Sequence, residues 1–398
     1  DPRRAEKHFI RATETARWAW ATARIAYWRG RLAARLGDAA SATSFYNAAA
    51  RFPTTFYGQL AAAKIGKSTL ALLDDKQFQR PNIANAESDV VRATWIFLRL
   101  GKGRYARSFA LHAMVHHAGS PAEHVWLANT IQTLTGKKYK RQTGVRLTKL
   151  AQRDGWALTW KGYPVIALPA DNTVEPALVY ALIRQESEFM AVAKSWVGAR
   201  GLMQLMHFTA RMEAKDLKVR YSLSRLTRDP AYNLRLGTVH MERLLKMYDG
   251  SYPLILAAYN AGAHRVNRWL QYHGDPRKSR KVDWVDWIEL IQFDETRGYV
   301  KRVLEAHTIY RLKLGAKVEL RKLPTHWQTP EKDYEKVCKT VLAARKKDAA
   351  AKAISPVVPL STKPRAPKGA ATSKQDRPNP FRLVRKEKPD NIPGTPPC

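Results

Sequence analysis

The sequence predicts an all-α chain: an N-terminal superhelix, or solenoid, of helical hairpins leading into a second α-helical globular unit. Three observations predict it. Apolar residues recur at helical spacing, without the alternation of a half-buried strand. Glycine and proline punctuate the ends of those runs. In the N-terminal half similar units follow one another, and such hairpins stack because no single one can hide its apolar face.

A chain of 398 residues has room for two or three domains. The composition shifts suggest a hairpin domain over 1–164, a second domain over 165–320, a helix over 321–348 and a tail over 349–398. No run of 18 apolar residues exists, so no transmembrane helix is expected. The chain opens on Asp1-Pro-Arg-Arg, as a processed or truncated form would, or one whose export signal lies outside it. A net charge of +35, from 69 basic and 34 acidic residues, suits nucleic acid, an anionic membrane or an anionic cell-wall polymer, and composition does not choose among them. Cys338 and Cys398 permit one disulfide without demanding it.

In chain order, the first hairpin runs from Tyr27 to Leu36, turns at Gly37-Asp38, and returns from Ala39 to Arg51 before Pro53. Ala86–Leu100 and Arg104–Ala118 flank Gly101-Lys102-Gly103, and Pro121–Leu134 and Thr143–Arg153 flank Gly136. A plain bundle is the alternative; the repetition favours the solenoid. The basic run Lys137, Lys138, Lys140 and Arg141 is a possible track for an anionic polymer. Tyr163-Pro164 and Val165–Pro169 read as the linker into the second unit.

That unit is organised around residues 177–210. Glu175-Pro176 reads as a helix start, with proline tolerated in the first turn. Leu178, Ala181, Leu182, Gln185 and Phe189 then fall on one face. Glu186 shares its side of the helix with Leu182, Ile183, Phe189 and Met190, so its carboxyl is desolvated and its pKa raised, the state a general acid needs. The spacing equally allows a core-edge carboxylate neutralised by an arginine. Glu188, roughly 200° further round, reads as solvated. Gly198 and Gly201 mark a tight turn, after which 202–206 resumes helical spacing up to Ala210. Asp229-Pro230 starts a helix into Leu234–Met247, and Pro253–Asn260 is an apolar helix ending at Gly262, with the polar tips of Tyr259 and Asn260 at its end. Glu295 opens a further helix, where an anion is favoured.

Four motifs stand in order: Arg184-Gln-Glu-Ser187, Gly198-Ala-Arg-Gly-Leu-Met-Gln204, Ala257-Ala-Tyr-Asn-Ala-Gly262 and Glu295-Thr-Arg-Gly-Tyr-Val300. With Asp229-Pro-Ala-Tyr-Asn233 between them, they resemble the soluble lytic murein transglycosylases. The resemblance implies a superhelical ring of hairpins before a lysozyme-like catalytic domain. It makes Glu186 the sole acid/base and Ser195 a contact to the N-acetylmuramoyl sugar. Gln204 and Met206 would line the groove, Tyr259 with Asn260 would stand beside the catalytic carboxyl, and Glu295 is the acid of the late motif. It further implies cleavage of peptidoglycan glycan strands to 1,6-anhydromuramoyl ends in the periplasm, without metal or cofactor.

Three residues depart from the family pattern. His207 and Gln292 stand in place of prolines, and Trp196 in place of a small residue or proline after the serine. No second carboxylate suggests itself, since Glu188 points away and Glu213 and Asp216 lie among basic residues. His116-His117 is adjacent rather than at metal-ligand spacing. A lysozyme-like hydrolase and a non-catalytic basic wall-binding scaffold are the alternatives, and nucleic-acid binding would rest on charge alone. Beyond about Lys347 a basic, proline-rich tail is expected to be disordered, either resting on an anionic envelope surface or simply solvated. The sequence specifies no oligomeric state.

Overall fold

The computed structural model describes residues 2–73, 88–116, 120–136, 139–159, 161–278, 282–316, 318–323 and 327. Residues 1–348 belong to one compact unit. The tail over 349–398, most of the expected 321–348 helix, both cysteines, and Lys137 and Lys138 lie outside the described residues.

The N-terminal helices are α1 (Pro2–Thr15), α2 (Ala19–Arg35), α3 (Ala39–Ala50), α4 (Phe56–Lys64), α5 (Asp89–Arg99), α6 (Gly103–His116), α7 (Pro121–Thr133) and α8 (Lys140–Arg153). The expected hairpins are present. Gly37, at φ +82°, makes the left-handed turn between α2 and α3. Asp38 then caps α3 by accepting from the Ser41 N–H at 2.9 Å. Ser120 caps α7 in the same way, with Pro121 in the first turn. Successive helices pack on one another, α2 on α3, α3 on α4, α5 on α6, α6 on α7 and α7 on α8. Helix α4 had no amphipathic signature because it is buried from Phe56 to Ala62, leaving no polar face to mark a period.

The second half contains α9 (Pro176–Glu186), α10 (His207–Asp216), α11 (Arg225–Arg228), α12 (Pro230–Met247), α13 (Tyr252–Ala261), α14 (Ala263–His273), α15 (Trp284–Glu289) and α16 (Asp294–Lys313). Among the described residues there is no named strand, only isolated bridges, so the described fold is all-α. Helix α9 is buried without a break from Ala177 to Arg184. It packs on α16, which also meets α13 and α4. Each fully buried Leu, Ile or Val along α9 contributes about 1.5–3 kcal/mol. One core runs through α2–α4 and α9–α16, and a smaller one built on Val91, Met114, Leu127, Ile131 and Leu147 serves α5–α8.

Two sequence expectations need correction. Helix α9 stops at Glu186 rather than running on through Met190, because Glu188 and Phe189 take left-handed conformations at φ 52° and 64°. Residues 202–206 are not helical either. They turn back along 193–200, with bridges Lys194–Arg200 and Arg200–Leu205, and α10 begins only at His207.

Polar groups lock the two halves together. Arg31 on α2 reaches Asp286 and Asp283, at 2.7 and 2.9 Å. Glu289 on α15 gathers Arg24 and Lys301, both at 2.6 Å, and the Tyr57 hydroxyl. The deepest polar cluster sits at the start of α9. Glu175, wholly buried, accepts from the Tyr252 hydroxyl at 2.6 Å and lies 2.9 Å from His307 Nε2. Arg311 Nε approaches its other oxygen at 3.3 Å, a charge contact rather than an aligned hydrogen bond. Burial pushes the Glu175 carboxyl up, but His307, Arg311 and Tyr252 outweigh it and hold it below the usual carboxylate range.

Replacing Glu175 by Ala leaves these partners buried without their anion and should cost about 3–5 kcal/mol, read as a lowered Tm or denaturation midpoint. Because the folded pKa is depressed, the network's contribution is present above the unfolded carboxyl value and is lost as pH falls through the folded one. The difference between wild type and Glu175→Ala should therefore shrink on acidification.

Candidate active site

Glu186 is the last residue of α9, just past the fully buried run that ends at Arg184, and is itself half-buried. Its partner comes from α16: the Tyr299 hydroxyl donates to Oε1 at 2.7 Å. Burial pushes the Glu186 carboxyl up to about 7; the Tyr299 hydrogen bond opposes this, and the like charge of Glu295 adds to it. At neutral pH the group is thus divided between proton donor and proton acceptor. That is the balance general acid–base catalysis needs.

The sequence did not single out Tyr299. It lies four residues beyond Glu295 and so on the same face of α16, and that spacing was the available signal. Tyr259 stands close by on α13, but its hydroxyl donates to the Met203 carbonyl at 2.7 Å, not to Glu186. Asn260 accepts from the Thr296 hydroxyl at 2.6 Å, joining the end of α13 to the start of α16. Glu295 is exposed, one turn before Tyr299.

The other groove candidates lie on the 193–206 double turn. Ser195 Oγ accepts from the Ala199 N–H at 2.9 Å. Gln204, in a left-handed conformation at φ 46°, donates from Nε2 to the Gly201 carbonyl at 2.8 Å and the Ala193 carbonyl at 3.3 Å. Met206 is exposed at the edge of this segment. The turn is anchored to the end of α9 by Ser187, whose hydroxyl donates to the Leu202 carbonyl at 2.7 Å. From α12, Asn233 accepts from the Met203 N–H at 2.9 Å and donates to the Arg200 carbonyl, also at 2.9 Å. Gly201 is required here: at φ +80°, a Cβ on it would lie 2.1 Å from the Leu226 carbonyl oxygen.

The remaining carboxylates near the site are engaged elsewhere. Glu188 is not the solvated group its helical position suggested. The left-handed turn after α9 swings it onto α8, where it pairs with Arg146 Nε at 2.5 Å and Lys149 Nζ at 2.9 Å. Glu213 is fully buried, 2.9 Å from His240 Nδ1 and 2.8 Å from Arg243. Arg243 also holds Asp216. Burial pushes Glu305 up to about 7 as well, but its carboxylate accepts from the first N–H of α4, at Phe56, 2.7 Å away. Among the described residues no group of three His, Cys, Asp or Glu could hold a metal ion.

Residues 164–282 match the family described as the Transglycosylase SLT domain. The chain is 38% identical over 148 residues to a soluble lytic murein transglycosylase of Escherichia coli K12, covering 37% of this chain and 22% of that protein. It is 35% identical over 156 residues to the Salmonella typhimurium enzyme of the same name, covering 39% and 23%. Among solved structures, it superposes on the 70 kDa soluble lytic transglycosylase of E. coli with a TM-score of 0.57 at 25% identity, over 80% of this chain and 50% of that one. An inactive mutant of the Pseudomonas aeruginosa lytic transglycosylase Slt gives 0.53 at 27% identity, over 78% and 49%. The chain therefore spans about half the length of these structures, and its sequence alignment spans less than a quarter of the curated relatives. The resemblance to soluble lytic murein transglycosylases holds, as does the expected fold of helical hairpins followed by a lysozyme-like helical unit.

Removing the Tyr299 hydroxyl should raise the Glu186 pKa, since that hydrogen bond favours the ionised form. A hydrogen bond to a charged group is worth about 1.5–3 kcal/mol, which corresponds to roughly one to two pK units. In Tyr299→Phe, the alkaline limb of kcat/KM should move to higher pH, and a pH–rate profile measures the shift.

Proposed function

We propose that this chain is a lytic transglycosylase that cleaves the β-1,4 bond between N-acetylmuramic acid and N-acetylglucosamine in peptidoglycan. The observation that carries the reading is a single glutamate, Glu186, held near half-protonation by burial and a tyrosine hydroxyl at the edge of the core. Glu186 donates its proton to the glycosidic oxygen, and the C1–O bond breaks. The substrate's own 2-acetamido group stabilises the cationic sugar. The Glu186 carboxylate then takes the proton from the C6 hydroxyl as that oxygen closes on C1. The product is a 1,6-anhydromuramoyl end, and no water is consumed. Most glycosidases place two carboxyls across the bond; here Glu188, Glu213 and Glu305 are bound to other partners.

In this reading Tyr299 orients Glu186, while Ser195, Gln204, Met206, Tyr259 and Asn260 shape the groove and Glu295 biases the proton. Residues 1–164 hold the strand, and 165–320 cut it. The enzyme works in the periplasm, where its substrate lies; no described helix is long and apolar enough to cross a membrane. Support comes from the matched domain and from the relatives that carry this activity in their names.

One observation favours a hydrolase instead. Glu295 is close enough to Glu186 to raise its pKa, and an exposed carboxylate there could direct a water. Mass spectrometry of muropeptides released from purified sacculi separates the two: anhydro ends for the transglycosylase, products heavier by one water for the hydrolase. In Glu186→Gln, turnover should fall about 10²–10⁴-fold with glycan binding retained; unchanged turnover removes Glu186 as the acid. The sign of a second effect is opposite. A folded carboxyl pKa above its unfolded value means stability is lost as pH rises through about 7. Glu186→Gln should therefore be the more stable protein at pH 8, by on the order of 1–3 kcal/mol.

A further inference from the structure

We propose that Trp196 is a sugar-stacking platform that extends the glycan groove beyond Ser195 and takes the apolar face of one hexosamine ring. This rests on the peptidoglycan reading above and adds a subsite to it. Trp196 is 95% exposed, the most exposed of the large hydrophobic side chains on the described surface. A single exposed apolar side chain is ordinary on a protein surface; what distinguishes this one is a full indole set on a braced turn immediately after Ser195.

The segment is structured. Ser195 to Gly198 is a tight turn, closed by the Gly198 N–H donating to the Ser195 carbonyl at 3.2 Å. Below it the Ser195 N–H donates to the Ala199 carbonyl at 2.9 Å, and the Ala199 N–H returns to Ser195 Oγ at the same distance. Gly198, at φ +93°, supplies the left-handed residue that lets the chain come back. Trp196 occupies the second position of this turn, where proline is favoured and a side chain points away from the turn. The turn does not need an indole there, and the indole does not pack on the fold.

The platform is tied to the catalytic carboxyl through backbone. Gly201 N–H donates to the Ala193 carbonyl at 2.9 Å, and the Gln204 amide braces the same carbonyl. Ser187, next to Glu186, holds Leu202. The ring is therefore presented by a loop fixed to the end of α9, so the backbone under it is ordered before a ligand arrives and only the indole's own rotamers remain to be fixed. A pyranose ring offers an apolar C–H face with hydroxyls at its rim. An indole, apolar over its face and with one N–H at its edge, matches that pattern. Trp196 follows Ser195 in the chain, and Met206 follows Leu205, which bridges Arg200 in the same double turn, so under the reading above the ring extends the surface assigned to the glycan.

The test is steady-state cleavage of glycan strands by wild type, Trp196→Ala and Trp196→Phe, with Tyr272→Ala on α14 as an exposed aromatic control. Trp196→Ala should raise KM about 3–10-fold, the range of one aromatic contact, with kcat close to wild type. Trp196→Phe should recover part of the loss, and Tyr272→Ala should change nothing. In a Glu186→Gln background, strand affinity should fall by the same factor when Trp196 is removed. If wild type cleaves strands and Trp196→Ala has an unchanged KM, the platform is wrong and the activity stands. If wild type releases no muropeptides, the activity falls and the platform with it. A loss confined to self-association in sedimentation, or to binding of anionic lipid vesicles, would assign the indole to a second copy or to a membrane and overturn the proposal.

Discussion

A carboxyl held near half-protonation at neutral pH, in a chain carrying a net +35, is the constraint on which the site depends. A field of that sign favours the ionised form of every acid. Two things protect Glu186 from it. Water and salt screen the distant charges, and basic side chains on the neighbouring helices α8 and α16 already have partners. Arg146 and Lys149 close on Glu188, and Arg302 Nε donates to the Gln185 amide oxygen at 3.2 Å. What faces Glu186 is a neutral hydroxyl and the like charge of Glu295. Burial then decides its pKa.

This arrangement needs α9 to be fixed at both ends. At the N-terminal end Glu175 is bound into α13 and α16 by Tyr252, His307 and Arg311. At the other, the left-handed pair Glu188 and Phe189 stops the helix, and Glu188 is drawn onto α8. Between them the apolar run from Ala177 to Ile183 leaves the helix no face on which to slide. The same α16 that binds Glu175 supplies Tyr299, so the acid and its orienting hydroxyl are positioned by one packed pair of helices. The hairpins take part too: α8 holds Glu188, and the start of α4 is bonded to Glu305.

Much of this was legible in the residues. Helix starts at Pro121, Pro176 and Pro230 follow from proline in the first turn, joined at Pro121 and Pro230 by a capping side chain, signals that act within four residues and leave a local mark. The desolvation of Glu186 was legible because its apolar neighbours one turn back lie on the same helix. What stayed hidden depended on contacts far apart in sequence. The end of α9 is set by an ion pair to residues about forty positions earlier, and periodicity cannot show it, so Phe189 and Met190 were placed on a helix that had already stopped. Residues 202–206 mimic a helix because Leu202, Met203 and Leu205 are all buried, yet they are buried in a turn braced by Asn233. Tyr299 belonged to a recognised motif, but only tertiary packing shows that its hydroxyl, rather than that of Tyr259, reaches the acid.

The distribution of acids also bears on substrate capture. Glu175, Glu188, Glu213 and Glu289 each lie against an arginine or lysine and face inward. With 34 acidic against 69 basic residues, the acids are too few to match the lysines and arginines one for one. A chain with that excess attracts a polyanion at long range and loses the attraction as salt rises. Glu186, by contrast, sits where burial disfavours charge. Under the proposed function, capture and cleavage would draw on opposite electrostatics. The fold sets Glu175 and Glu188 into the contacts that hold the two ends of α9 and leaves Glu186, at its last position, with a hydroxyl rather than a cation as its hydrogen-bond partner.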